Sequence, residues 1–263
     1  MQDFWQVVVL AVVQGVAEFL PISSDGHLAL TRALLGKLFS GGIASRSGLE
    51  LDVMLHLGTL GSIVVVYWTE LWKLLVNRPR LWRVLLATIP AVLCGLLLKD
   101  QIEAVFLLPI WAAVGLIVTG VMLLLIGRGF GSDLTEDQLS WSQTVYIGCF
   151  QALALLPGVS RSGSTICAGQ SCGLSRLAAA RFSFLMAVPV ISGAVALKLS
   201  DLIRKPPSTS DGLLMALGAA ISFCVGLIAL RWLLSIVGRG SLAYFGYYCL
   251  IVGGVAAYLT WPV

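Results

Sequence analysis

Apolar stretches long enough to cross a bilayer recur along this chain, near residues 49 to 69, 83 to 98, 108 to 126, 181 to 199, 213 to 234 and 244 to 261. A hydrocarbon core of about 30 Å takes roughly 20 helical residues. Each stretch therefore suits one full span, and the six together predict an all-α polytopic membrane protein. Only 11% of the residues are charged, 58% are hydrophobic and the mean hydropathy is +0.95, which places the chain in the bilayer-solvated class rather than the soluble one.

Two further apolar segments, about 4 to 20 and 144 to 156, stop at Pro21 and Pro157, and each runs into a Gly/Ser cluster and another short apolar helix. At about 1.5 Å per residue, the segment before Pro157 reaches only about 20 Å, too short to span. Broken backbone at membrane depth is tolerated only where protein or a water-filled cavity surrounds it, so both segments are read as re-entrant helix-loop-helix pairs. The N-terminus, MQDFWQ, lacks the positive region of a signal peptide, and the first segment is expected to belong to the fold.

The chain reads as one transmembrane domain, 1–263, containing an internal repeat of about 1–128 and about 140–263. FLPISSDG pairs with LLPGVSRSG, VLCGLLL (92–98) with CVGLIAL (224–230), and GLIVTGV (115–121) with CLIVGGV (249–255). One re-entrant pair returns to its own side and three spans cross, so the second half begins on the opposite side of the membrane. That is an inverted-topology repeat, which puts the functional site where the halves meet. The loops 70–83, 127–143, 173–180 and 235–243, with their flanks, carry nine Lys and Arg against seven on the other side. The positive-inside rule then makes the first set cytoplasmic and both termini external.

Six cysteines (Cys94, Cys149, Cys167, Cys172, Cys224, Cys249) lack CxxC or CxxxH spacing and read as small core residues. The net charge of +4 is spread over short loops, which suits membrane orientation, and no nucleic-acid partner is expected.

Against this apolar background, EFLPISSDGHLAL (18–30) stands out. Gln14 and Glu18 are four residues apart and share a helix face. An ionisable group within a membrane segment is costly and is by default a functional hypothesis: Glu18 could hold a divalent cation or act as a base, or it could sit at the interface or cap a helix end. Ser23, Ser24 and Asp25 stand where N-cap residues belong for a helix beginning near Gly26. Capping needs only one of them, so Ser24 and His27 are a surplus, and a histidine there can be nucleophile, general acid or base.

The second cluster, LPGVSRSGSTICAG (156–169), carries Arg161. Its guanidinium fork matches phosphate oxygens, the N-terminus of a helix beginning near Gly163 offers amides to an anion, and Ser160, Ser162, Ser164 and Thr165 add hydroxyls. The bland alternative is an arginine snorkelling to the interface. No Lys-Ser/Thr follows the glycines as a Walker A loop requires. Brought together by the repeat, Glu18, Ser24, His27 and Arg161 would face one pocket suited to phosphoryl hydrolysis. His56, Thr59 and Arg181 either line that pocket or join helices, while Arg78, Pro79, Arg80 and the stretch 201–211 read as solvated loops. Two rivals are a transporter of an anionic polyprenyl lipid or small anion without hydrolysis and an intramembrane Ser/His protease, which has no use for a buried arginine.

QxxxE at 14–18 running into FLPISSDGH, and PGVSRSGST at 157–165, closely resemble the two motifs of the undecaprenyl-diphosphate phosphatase family of bacterial membrane proteins, the bacitracin-resistance type. The likeness covers essentially the whole chain. It implies two re-entrant pairs, six spans and an inverted repeat. The implied activity removes the terminal phosphate of undecaprenyl diphosphate, regenerating the lipid carrier of wall-polymer synthesis at the periplasmic face of the bacterial inner membrane. A divalent cation (Mg2+ or Ca2+) and a possible homodimer are part of the same implication. Carried over by position, Gln14 and Glu18 match the Glu/Gln-x-x-x-Glu pair. Ser23, Ser24, Gly26 and His27 match the Ser-Ser-x-Gly-His run, and Ser160, Arg161, Ser162, Gly163 and Thr165 match the second motif. The implied roles are metal handling or base catalysis for Glu18, diphosphate binding for Arg161 and its neighbours, and nucleophilic attack by Ser24 or His27. Asp25 stands where the family usually has threonine, and Gln14 replaces a carboxylate, so Asp25 is expected to join Glu18 and Gln14 in holding the metal.

Overall fold

A computed structural model describes residues 1–39, 41–43, 48–106, 108–126, 133–204, 207–240 and 242–260. Arg46, Arg128 and Lys205, three of the cations used to orient the loops, lie outside the described residues. Within them the chain is helical, without strands: α1 (Gln2–Ala17), α2 (Ser24–Leu38), α3 (Gly48–Val66), α4 (Trp68–Val76), α5 (Arg78–Leu97), α6 (Lys99–Phe106), α7 (Pro109–Leu125), α8 (Trp141–Leu153), α9 (Arg161–Ser171), α10 (Arg176–Arg204), α11 (Thr209–Arg239) and α12 (Ala243–Thr260). Five helices, α3, α5, α10, α11 and α12, are long and apolar enough to cross a membrane. A sixth span results if α6 and α7, bent by 99° to each other, count as one. The protein is thus a multi-pass integral membrane protein.

Both segments that end in proline are helix-break-helix pairs, α1–α2 around Glu18–Ser23 and α8–α9 around Ala154–Ser160. They pack reciprocally: α1 lies on α11 as α8 lies on α5, α3 lies on α11 as α10 lies on α5, and α7 packs against α12. In lipid, helices associate through close packing rather than hydrophobic exclusion, which favours small residues at contacts. Accordingly, a Cβ on Gly148 would come within 2.6 Å of the Ala87 carbonyl, and one on Gly58 would overlap that of Ala219.

Two stretches read as loops are helical. Asn77 caps α5 by accepting from the Arg80 amide at 3.2 Å, and Pro79 falls in the first turn, where its missing N–H costs nothing. Residues 201–204 complete α10, and Thr209–Asp211 open α11. Arg80 is buried rather than solvated, 3.1 Å from Glu136 and 3.4 Å from Glu70. Arg181 joins the same cluster, 3.2 Å from Glu136, so of its two expected roles the structural one holds. Trp68, Trp82 and Trp141, each more than half exposed, stand near the starts of the helices flanking this ionic layer, and Trp72, also exposed, lies within α4 beside it, as interfacial tryptophans do. The cysteines are free thiols, but only Cys167 and Cys249 are buried while Cys149 and Cys224 are exposed, because a membrane protein's outer face is as apolar as its core.

Candidate active site

The two breaks are built alike. α1 ends at Ala17, and Glu18 follows with helical backbone angles, its amide still reaching the Gln14 carbonyl at 3.0 Å. Ser23 adopts a φ of 68°, uncommon for a residue with a side chain, and its Oγ caps α2 by accepting from the Gly26 amide at 3.2 Å. In the second break Gly158 has a φ of +84°, which glycine adopts without strain. Ser160 caps α9 by accepting from the Gly163 amide at 3.1 Å. Thr119 of α7 braces this break from outside, donating to the Gly158 carbonyl at 3.0 Å and accepting from the Ser160 amide at 2.9 Å.

The breaks touch. A Cβ on Gly26 would lie 3.1 Å from the Gly158 Cα, and Ser162 Oγ donates to the Leu20 carbonyl at 3.2 Å. Where they meet, Glu18 is the hub. Its Oε1 accepts from Arg161 Nη2 at 2.6 Å, and its Oε2 accepts from Ser24 Oγ at 2.8 Å and Gln14 Nε2 at 3.1 Å. Arg161 lies over the Phe184 ring, 5.8 Å from its centroid, while its Nη1 is buried with no hydrogen-bond partner. His56 of α3 completes the cluster, with Nε2 3.7 Å from Glu18 Oε2 and 4.0 Å from Asp25 Oδ1, and Nδ1 2.9 Å from the Asp52 carbonyl. A cavity of about 230 Å³ opens onto this cluster.

Of the residues expected in the site, Glu18, Ser23, Ser24, Asp25 and Arg161 line the cavity. Gln14, Gly26, His27, Ser160, Ser162, Gly163 and Thr165 do not line it. The His27 ring stacks on Tyr248 of α12, with Nε2 2.8 Å from the Tyr248 hydroxyl and Nδ1 2.8 Å from the Ser23 carbonyl. Thr165 donates to the Arg161 carbonyl at 2.8 Å and lies 2.6 Å from Ser183 Oγ. Sequence reasoning did not find Asp52, Lys198, Thr119, Phe184 or Tyr248. The first two line the cavity, Phe184 lies against Arg161, Thr119 braces the second break and Tyr248 meets His27. Lys198 and Phe184 belong to α10, and Asp52, Thr119 and Tyr248 to α3, α7 and α12, all outside the two motifs.

The oxygen donors suit a hard cation only in part. Gln14 Oε1 is buried without a partner, and Glu18 and Asp25 add carboxylates. Both Glu18 oxygens are already hydrogen-bonded, and among the described residues no group of three His, Cys, Asp or Glu could hold an ion. Mg2+ and Ca2+ accept ligands from water and substrate phosphates as well, so a cation here would take most of its coordination from a phosphorylated ligand and water.

The model of the family described as "Bacitracin resistance protein BacA" matches residues 7–255. The chain belongs to this family. Among proteins similar to this BacA-family chain, the undecaprenyl-diphosphatase of Rhodopirellula baltica is 44% identical over 255 residues, covering 96% of each chain. The undecaprenyl-diphosphatase of Pelotomaculum thermopropionicum is 39% identical over 259 residues, 95% of this chain and 94% of the relative. That of Methanosphaera stadtmanae is 34% identical over 284 residues, 99% of each.

Proposed function

We propose that the protein hydrolyses undecaprenyl diphosphate to undecaprenyl phosphate and inorganic phosphate, the activity named in its relatives, and so returns a lipid carrier to wall-polymer synthesis. The observation that carries this reading is the chain of contacts Ser24–Glu18–Arg161, drawn from both breaks at the floor of one cavity.

A serine hydroxyl is a weak nucleophile until an adjacent base takes its proton, and Glu18 Oε2 is 2.8 Å from Ser24 Oγ. Ser24 Oγ attacks the terminal phosphorus and passes its proton to Glu18. The anhydride P–O bond breaks, and undecaprenyl phosphate leaves with the electron pair. Glu18 gives that proton to the leaving phosphate, then takes one from water as the water oxygen attacks the phosphoserine phosphorus. The P–Oγ bond breaks, Ser24 Oγ recovers the proton from Glu18, and inorganic phosphate is released. Arg161 Nη1, which has no partner, is the free arm of the guanidinium for equatorial oxygens as charge develops on them. Of the two nucleophiles left open by the motifs, this geometry supports Ser24, since both His27 ring nitrogens are engaged away from the cavity. A Mg2+ or Ca2+ held by Glu18, Asp25 and Gln14 Oε1 would supply further positive charge to the diphosphate. Ser160, Ser162, Gly163 and Thr165 act by holding the Arg161 backbone, and Gln14 by orienting Glu18.

The two helix-break-helix pairs are read as re-entrant, and their reciprocal packing supports an inverted repeat. The membrane is taken to be the bacterial plasma membrane with the cavity facing outward, and a homodimer remains part of the proposal. The test is phosphate release from a polyprenyl diphosphate in detergent, with and without chelator, for wild type and for Glu18→Ala, Ser24→Ala, His27→Ala and Arg161→Ala. Chelator-sensitive release lost in the Glu18, Ser24 and Arg161 variants is expected. Folded wild type that releases no phosphate would overturn the assignment.

A further inference from the structure

The cavity that ends on Glu18 and Arg161 has a second character. From α10 it receives Val190, Ile191, Ala194 and Val195, spaced so that they share one helix face, with Lys198 one turn beyond Ala194, and Leu49 of α3 and Leu155 of the second break stand among its other walls. Ile191 and Val195 are each 7% exposed, whereas Ala194 and Leu49 are exposed. The apolar wall therefore runs from the buried cluster out to the surface of the helix bundle. A site for a water-soluble diphosphate gains nothing from such a wall. In a lipid diphosphate the hydrocarbon is esterified to the inner phosphate, so an apolar path must begin within a few bonds of the residues that grip the outer one.

We propose that the face of α10 formed by Val190, Ile191, Ala194 and Val195, opposite Leu49, seats the first isoprene units of the lipid substrate. The inference rests on the hydrolase reading above and adds the subsite for the non-reacting end. A cavity of about 230 Å³ is too small for an entire polyprenyl chain, so only the head-proximal units lie in it, and the remainder lies among the surrounding lipid. A second apolar cavity of about 250 Å³, lined by Trp111, Val114 and Val118 of α7, shares Val159 with the first but includes neither Glu18 nor Arg161. It does not reach the residues that grip the phosphates and is not the chain's path.

The experiment is photolabelling of the full-length protein in detergent with a polyprenyl diphosphate carrying a diazirine in its first isoprene unit, followed by peptide mapping. Label on residues 190–195 and around Leu49, competed by unmodified polyprenyl diphosphate, is expected. Ala194→Trp fills the groove and should cut the labelling and raise KM for the polyprenyl diphosphate at least about tenfold with kcat nearly unchanged. Val118→Trp should leave both at wild-type values. Label confined to α7, or an Ala194→Trp variant that labels and turns over like wild type, would overturn the groove. Label on α10 without phosphate release would defeat the hydrolase reading and leave the groove standing, whereas phosphate release with the label elsewhere would defeat the groove alone.

Discussion

Arg161 has one arm on Glu18 and one without a partner, so its value lies in the fork rather than the charge. Arg161→Lys keeps the charge and loses the fork. Phosphate release should fall at least about tenfold, with KM for the polyprenyl diphosphate rising. Glu18→Gln preserves the shape but removes the base, and kcat should drop roughly a hundredfold or more, read in the same assay. Tyr248→Phe keeps the stack on His27 and deletes the hydroxyl it meets, a loss of about 1 kcal/mol that a thermal melt in detergent would register. Glu18, Ser24 and Arg161 were legible in the sequence as candidates because a charge or hydroxyl in an apolar run is costly and is by default a functional hypothesis, and the structure brings the three together. Ser160, Ser162 and Thr165 carry the same signature, yet their hydroxyls are spent on a cap, a bridge to Leu20 and a link to Ser183. Hydroxyls that bind a ligand and hydroxyls that repair a broken helix look identical until their partners are known. The same ambiguity separates the histidines: His27 belongs to the motif but meets Tyr248, while His56, outside both motifs, faces Glu18 and Asp25.

At the level of the helices, each break was visible as a proline followed by Gly and Ser, because those residues cannot continue a helix and do cap the next one. What braces the second break was not visible, since Thr119 reads as one more residue of an apolar span. Thr119→Val is nearly isosteric and leaves the Gly158 carbonyl and Ser160 amide without their partner. It should cost roughly 2 kcal/mol, measured by thermal unfolding in detergent, and lower phosphate release as Arg161 loses its fixed backbone. Arg80, in the ionic layer, was misread as solvated because Glu136, the carboxylate nearest to it, lies in a segment remote from it in the chain. In that layer, a hydrogen bond from Lys73 and the nearby Arg181 and Arg80 guanidiniums outweigh partial burial and hold the Glu70 carboxyl below its ordinary value. A depressed carboxyl stabilises the fold above its unfolded pKa, and that contribution is lost as pH falls through the lowered folded value. Wild type should therefore lose melting temperature on acidification below the ordinary carboxylate range, and Glu70→Gln should lose less over the same window.

For the molecule as a whole, hydropathy alone located all six apolar stretches, and each corresponds to a helix. It could not supply the ends, where α10 and α11 run on for 29 and 31 residues, because caps and ion pairs rather than apolar content decide where a helix stops. Nor could it tell core from periphery, since lipid is as apolar as the interior. Cys149 and Cys224 are exposed near the middles of α8 and α11. In liposomes a water-soluble maleimide should spare them until detergent denaturation, while a lipid-soluble thiol reagent should modify both and leave buried Cys167 and Cys249 unreacted. Ready modification of Cys149 by the water-soluble reagent would mean that α8 faces water there. The two helix-break-helix pairs resemble one another in proline, cap and contact, yet one brings a carboxylate to the meeting point and the other a guanidinium. Two identical pairs would set acid against acid or cation against cation and would repel. Likeness gives the two pairs a shared shape, but the chemistry at their junction depends on where they differ, so neither pair can be exchanged for a copy of the other.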